Sequence, residues 1–303
     1  MTGEFAVIDR LRRALPGPPA GETWIGDDAA VVCPPRGGLL LTSDAVVAGV
    51  HVDVSLVGMD DVGWKAVSVA VSDIAAMGCR PMYVLMTVCG PPDTDIDLLY
   101  RGVAEATEAY GCPVVGGDLV GATQLVVSVA VAGETGHRTP VLRAGALPGD
   151  RLFVTGRLGA SAAGLRLLRE GLIGLDHALA VAHRRPRARV AEGRAARAAG
   201  ATAMVDVSDG LAADVGHLAE ASGVGVALDA VPVADRATLD EAMAGGEDYE
   251  LVFTATNPGH VAATFAEAGL RQPLVIGHCT ADPAERTLAG EPFPAAGWEH
   301  DFR

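Results

Sequence analysis

Along the segment 60–77 (DDVGWKAVSVAVSDIAAM) apolar residues recur at helical spacing behind an acidic start, and Gly78 follows. That pattern predicts a helix closed by a glycine cap, with its apolar faces in the core. Short runs rich in β-branched and other apolar residues predict strands at 39–42, 82–88, 113–115, 125–132, 152–155, 204–207, 224–228 and 249–254. Helical patterns at 98–110, 161–170, 187–199 and 211–222 lie between them, so strands and helices are interleaved in both halves. The expected fold class is mixed α/β (α+β), with a mixed sheet and packed helices in each of two domains. The strand that runs into GETGHRTP is followed by Gly145, Pro148 and Gly149, which places the break at 144/145 and the domains at 1–144 and 145–303. A chain of 303 residues fits two domains of roughly 150 residues each.

Composition narrows the function classes. Half of the residues are hydrophobic and 20% are charged, enough for a sizeable core. No stretch approaches the ~20 apolar residues of a membrane helix, so no membrane partner is expected. The formal charge of −15 opposes nucleic-acid binding, which depends on a basic surface that releases counterions. The five cysteines are scattered and form no CxxC pair, as expected of reduced structural thiols. The first ten residues, MTGEFAVIDR, show no basic region followed by an apolar stretch, and the expected location is the cytoplasm. Of 23 basic residues only Lys65 is a lysine, and it follows Trp64 in a helical pattern rather than a glycine-rich turn. A P-loop is thereby excluded.

The aspartates carry the chemistry. Asp44 follows LLLTS, Asp118 follows PVVGG and Asp206 follows AMV, each read as the end of a strand, where α/β sheets commonly build ligand sites. Three matching placements favour one convergent site over three unrelated caps. Asp73 stands alone in VSVAVSDIAAMG, where it either faces solvent or needs a partner such as a metal ion. Asp27 and Asp28 in WIGDDAAVV suit a tight turn as well as a site. In DVSDGL, Ser208 or Asp209 could cap the following helix, which leaves Asp206 unexplained. In GGEDYEL, Glu247 and Asp248 fit turn chemistry and ligand binding equally. Carboxylates gathered in one pocket repel unless cations intervene, and all-oxygen ligation is what Mg²⁺ prefers. Such a cluster could hold polyphosphate without a P-loop lysine, aided by Arg143 and the backbone N–H groups of Gly116 and Gly117.

In order along the chain, WIGDDAAVV, LTSDAVVAGVH, VGWKAVSVAVSDIAAMG, VVGGD, LRAGALPGD, TGRLGASAAGL, DVSDGLAADVGHLAEASGVG and GGEDYELVF resemble the thiamine-monophosphate kinase family of the aminoimidazole ribonucleotide synthetase-like (PurM-like) superfamily. The resemblance runs from Gly3 to Trp298. It implies Mg²⁺-dependent transfer of the ATP γ-phosphoryl group to thiamine monophosphate, by a homodimer whose amino-terminal domains pair. By position it implies Mg²⁺ ligands at Asp28, Asp44, Asp73, Asp118 and Asp206, with Thr42, Ser43 and Asp209 contributing. Tyr100, Gly117, Asp118, Arg143 and Ser208 match ATP-binding positions, and His51, Glu247 and Trp298 match substrate positions. Each has a plainer reading beside it: Tyr100 as a helix-face aromatic, His51 as structural, Trp298 as a packing anchor. The TGRLGASAAGL turn looks like a phosphate loop, yet strand-to-helix turns need glycine anyway, and no role is assigned to it. Two departures from the family pattern are visible. Thr42-Ser43 keeps both hydroxyls where Ser-Thr or Thr-Thr is usual, and Ala70 stands where Asn is commoner.

The implied chemistry suits these residues. The acceptor is a phosphate with a second pKa of about 6, already largely anionic at neutral pH, so no general base is needed. The obstacle is repulsion, roughly 4 kcal/mol between unit charges ~4 Å apart at an effective dielectric of 20, which bound cations offset. Direct in-line transfer without a phospho-enzyme is expected. Selenophosphate synthesis and hydrogenase maturation are disfavoured because the reactive amino-terminal Cys of the first and the terminal Cys of the second are not found in MTGEFAV or HDFR. Aminoimidazole ribonucleotide synthesis is disfavoured by the wording of GGEDYEL and DVSDGLAADVGH, and a binding-only module by the full carboxylate set.

Overall fold

The computed structural model describes residues 4–293 and 296–298. The chain divides into two compact units, Met1–Ile74 with Arg80–Arg138, and Ala75–Cys79 with Thr139–Arg303. The segment 139–144 falls on the second side of this division, where sequence alone placed the break at 144/145. Its backbone shows why: Val141 N–H donates to the Met77 carbonyl at 3.1 Å and Met204 N–H to the Leu142 carbonyl at 2.9 Å.

The first unit contains α1 (Glu4–Ala14), β1 (Leu39–Val47), most of α2 (Met59–Ala76), β2 (Arg80–Gly90), α3 (Ile96–Tyr110), β3 (Val114–Gly121) and β4 (Val126–Glu134). Its sheet runs β1-β4-β2-β3, with β2 and β3 parallel and the other pairs antiparallel. Alternation along β4 sends Val127, Val129 and Val131 into the core, and α2 buries Val62, Val67, Val71 and Ile74. Helices α2 and α3 approach so closely that a Cβ on Gly63 would meet the Leu99 carbonyl and one on Gly102 the Asp60 carbonyl. The other face of the sheet leaves Leu39, Leu41, Leu85 and Val120 exposed.

The second unit holds β5 (Arg151–Val154), α4 (Ala160–Arg169), α5 (Ala178–Arg184), α6 (Val190–Ala198), β6 (Ala203–Asp206), α7 (Leu211–Ser222), β7 (Gly225–Leu228), α8 (Leu239–Ala244), β8 (Leu251–Ala255), α9 (Pro258–Glu267), β9 (Leu274–Thr280), β10 (Arg286–Leu288) and β11 (Glu291–Pro292). Its sheet runs β11-β10-β7-β9-β5-β8-β6, antiparallel except for β10 with β7. One core, built on Leu152, Val205, Leu211, Val215, Leu218 and Val252, lies under α7. Another stacks Phe153 on Phe253 at 5.0 Å and Phe253 on Phe265 at 6.0 Å. Both sheets are mixed, as the interleaved pattern implied. Among the described residues no helix is long and apolar enough to cross a membrane.

Candidate active site

The strand-end placement inferred for the aspartates holds for Asp206 and fails for Asp44 and Asp118. β1 continues three residues past Asp44, which pairs with Val129 of β4, and Asp118 pairs with Thr87 inside the β2–β3 ladder. Polar residues simply occupy alternate positions of strands that persist. In β1 this alternation sets Thr42 and Asp44 on one face and Ser43 on the other. The Thr42 hydroxyl donates to the Asp73 carboxylate from α2, so Asp73 neither stands alone nor simply faces water. Burial, with the nearby Asp73 charge second, pushes the Asp44 carboxyl up to about 6. Thr42, Asp44 and Asp73 are thus gathered, while Ser43 is exposed on the opposite face.

Asp28 is exposed in a turn where Asp27 Oδ1 accepts its N–H at 2.9 Å, the turn role foreseen for this pair. Asp118 is exposed, its Oδ1 accepting from Leu119 N–H at 2.9 Å. Tyr100, Gly117 and Asp118 line one hollow of about 60 Å³ with Ile8, Leu11 and Ile25. Three of the proposed ATP positions therefore share a small apolar recess beside α1, an element the sequence pattern did not reveal. Tyr100 is buried there, and burial pushes its phenol up to about 12, so the hydroxyl stays protonated. Glycine is required at 117 because a Cβ would collide with the Met86 backbone carbonyl. Held in a turn after β1, His51 has its Nδ1 accepting from Val47 N–H at 3.1 Å.

In the second unit Asp206 ends β6 and is buried, with Ser208, Asp209 and Gly210 leading into α7. Neither Ser208 nor Asp209 caps that helix. Asp214 reaches back from its first turn and accepts from Asp209 N–H and Gly210 N–H, both at 3.1 Å. Burial, then Asp206 and Asp209, push the Asp214 carboxyl up to about 8. Sequence reasoning missed Asp214, although an acid early in a helix is a readable signal. Two further segments fasten onto the same turn. Glu247 N–H donates to the Ser208 carbonyl at 2.8 Å and Tyr249 N–H to Val207 at 2.9 Å, while Trp298 N–H donates to Asp209 at 3.0 Å. Glu247, Ser208, Asp209 and Trp298 are therefore brought together. Trp298 and Asp209 also line a groove of about 1000 Å³ along α7. Glu247 and Tyr249 adopt left-handed φ values of 59° and 50°, a strained local backbone of the kind that collects at functional sites. His183, which sequence did not single out, places Nδ1 3.5 Å from Glu247 Oε2 and 3.1 Å from Ser161 Oγ. The exposed Arg143 is represented by its carbonyl, which accepts from Ser222 Oγ at 3.1 Å.

The TGRLGASAAGL turn now has an explanation. Asp248 accepts from Gly159 N–H at 2.6 Å and from Ser161 N–H at 3.2 Å, so the chain's own carboxylate occupies the start of α4. Beside it the buried Glu250 is gripped by Arg189 through contacts of 2.6 and 3.0 Å. Among the described residues no three His, Cys, Asp or Glu side chains form a group able to hold a metal unaided.

Family models for AIR synthase related proteins match residues 26–135 (N-terminal domain) and 148–289 (C-terminal domain). A curated Mycobacterium tuberculosis relative, thiamine-monophosphate kinase, is 38% identical over 98% of this chain and 91% of its own length. The chain belongs to the thiamine-monophosphate kinase family. Its fold follows that of the family: the crystal structure of thiamine-monophosphate kinase from Stenotrophomonas maltophilia superposes with a TM-score of 0.84 at 33% identity, covering 96% of this chain and 98% of that one. A second structure, described as AaThiL complexed with AMPPCP and TMP, gives 0.77 at 34% identity over 99% of this chain and 97% of that one. The family and superfamily implied by the ordered motifs are thereby borne out, as is the ATP-dependent kinase class.

Proposed function

We propose that this chain transfers the γ-phosphoryl group of ATP to the phosphate of thiamine monophosphate, giving thiamine diphosphate and ADP, by direct in-line transfer. The observation that carries the reading is full-length similarity to a relative solved with AMPPCP and TMP, together with the matching motifs on strained or tightly bonded backbone. Tyr100, Gly117 and Asp118, which border the small recess beside α1, are the proposed nucleotide contacts, with Arg143 and Ser208 as further ATP contacts. His51, Glu247 and Trp298 bind thiamine monophosphate, the flat indole suiting the cationic ring and Glu247 adding hydrogen bonding.

The donor chemistry fits Mg²⁺. Burial first and the nearby Asp73 carboxylate second raise the Asp44 pKa, and burial first, then Asp206 and Asp209, raise that of Asp214; carboxylates gathered in this way are what a hard cation neutralises. Mg²⁺ commonly keeps several waters and takes phosphate oxygens into its shell beside one or two carboxylates. The ligands proposed are Asp28, Thr42, Asp44, Asp73 and Asp118 in the first unit, and Asp206 and Asp209 in the second. Ser43 contributes from the opposite face of β1, the face on which the register through Thr87, Ser128 and Ala45 also sets Asp118. When bound, Mg²⁺ would supply charge neutralisation between the ATP polyphosphate and the acceptor phosphate. The side chains position the phosphates, and no general base is assigned because the acceptor oxygen is already anionic. The exposed apolar face carrying Leu39, Leu41, Leu85 and Val120 supports pairing of the first units in a homodimer. We assign the protein to the cytoplasm on the biosynthetic role of its relatives.

Incubation with γ-labelled ATP alone tests the direct route. The protein should carry no covalent label, and label retained after denaturation would overturn the in-line proposal.

A further inference from the structure

Lys65 is the one lysine among 23 basic residues and is fully buried in α2. Its Nζ donates to the His51 carbonyl at 3.0 Å. The buried Asp61 lies four residues earlier, one helical turn away on the same side of α2, and brings the opposite charge. Burying an ammonium is costly, and a well-packed apolar residue at such a position is often neutral or stabilising, so fold stability alone does not account for the lysine. A compact ammonium fits an enclosed site that a five-donor guanidinium would overfill.

The Lys65 ammonium thus reaches His51, whose backbone is held on both sides. His51 N–H donates to the Val47 carbonyl at 2.9 Å, and Gly49 N–H, at φ 83°, donates to Val52 at 2.8 Å to tighten the same turn. The ring is fixed as well. Because Nδ1 accepts the Val47 N–H at 3.1 Å, the imidazole proton resides on Nε2. An Nε2–H is a donor, matched to an anionic phosphate oxygen.

We propose that Lys65 is a positioning residue: through the His51 carbonyl it holds the turn that locks His51 in the Nε2–H tautomer, ready to donate to the phosphate of thiamine monophosphate. The inference rests on the reading of His51 as a substrate residue.

The test combines ¹⁵N NMR of the histidine rings in the ligand-free protein with steady-state kinetics of wild type, Lys65→Met, His51→Gln and the double variant. Wild type should show His51 with a bare Nδ1 and a protonated Nε2. Lys65→Met should mix the tautomers and raise KM for thiamine monophosphate about tenfold, the equivalent of one hydrogen bond to a charged group, while KM for ATP changes less than about twofold. In the His51→Gln background Lys65→Met should add nothing further. Should Lys65→Met not fold, Lys65→Gln, which keeps a donor, should retain the wild-type tautomer with a smaller rise in KM. An Nδ1–H tautomer in wild type, a folded variant with unchanged spectrum and KM, or additive effects in the double variant would overturn the proposal. Absence of turnover with thiamine monophosphate in wild type would defeat the functional reading instead, and the NMR result would still decide the link between Lys65 and His51.

Discussion

The Asp248 carboxylate closes the start of α4 by accepting the Gly159 N–H at 2.6 Å, so a segment shaped like a phosphate loop is filled from within the chain. Burial outweighs those backbone hydrogen bonds and lifts the Asp248 carboxyl from 3.8 to about 6. A raised carboxyl means the folded state binds the proton more tightly than the unfolded chain. The associated stability is therefore complete below about pH 4 and is lost as pH rises through about 6, a change of order 3 kcal/mol. Urea unfolding of wild type and Asp248→Asn across that window should give a difference that grows toward acid, because Asp44 and Asp214 titrate in both proteins and cancel. Parallel pH profiles would refute the role.

Gly117 lies where β2 and β3 run parallel, against the Met86 carbonyl. Gly117→Ala forces two backbones apart and should cost about 3 kcal/mol in stability, by the usual toll of overpacking. Thermal unfolding would read that loss, and KM for ATP should rise because Tyr100 and Asp118 border the same recess. A substitution without effect on either would show that the close approach is relaxed in solution.

Asp44 shares its half-buried face with Thr42 and Asp73. Asp44→Asn preserves shape while removing the charge that a divalent cation needs, and kcat should fall by at least about a hundredfold, more than ~2.7 kcal/mol of transition-state stabilisation. Titration with Mg²⁺ should show a raised requirement. Unchanged turnover at low Mg²⁺ would remove Asp44 from the ligand set.

Trp298 is tied by its backbone to Asp209 yet is 55% exposed, a poor packing anchor. Trp298→Ala should therefore alter stability by less than about 0.5 kcal/mol. Loss of a ring that stacks on a cation should raise KM for thiamine monophosphate about tenfold. A large drop in melting temperature with unchanged KM would restore the packing reading.

The hydrophobic pattern carried much of the fold, and its omissions have physical causes. α2 and its glycine cap were plain because apolar spacing, acidic start and Gly78 agree; Gly78 indeed adopts φ 65°. β1 was cut short at Thr42 because Ser43 and Asp44 do not resemble strand residues, although the ladder with β4 runs on to Val47. α8 and α9 were legible in principle, through the capping box of Thr238 with Glu241 and the Asn257-Pro258 start. The candidate site residues were read from ordered motifs, and two neighbours of those residues escaped that reading. Asp214 caps α7 from inside the helix, and His183 meets Glu247 only through tertiary packing, which leaves no trace in spacing.

The most direct measurement follows the γ-phosphoryl group itself. Purified protein with γ-labelled ATP, Mg²⁺ and thiamine monophosphate should place the label in the terminal phosphoryl of thiamine diphosphate, one for each ADP formed, and a chelator should stop both products together. Label recovered as inorganic phosphate, or folded protein that forms no thiamine diphosphate, would contradict the assignment.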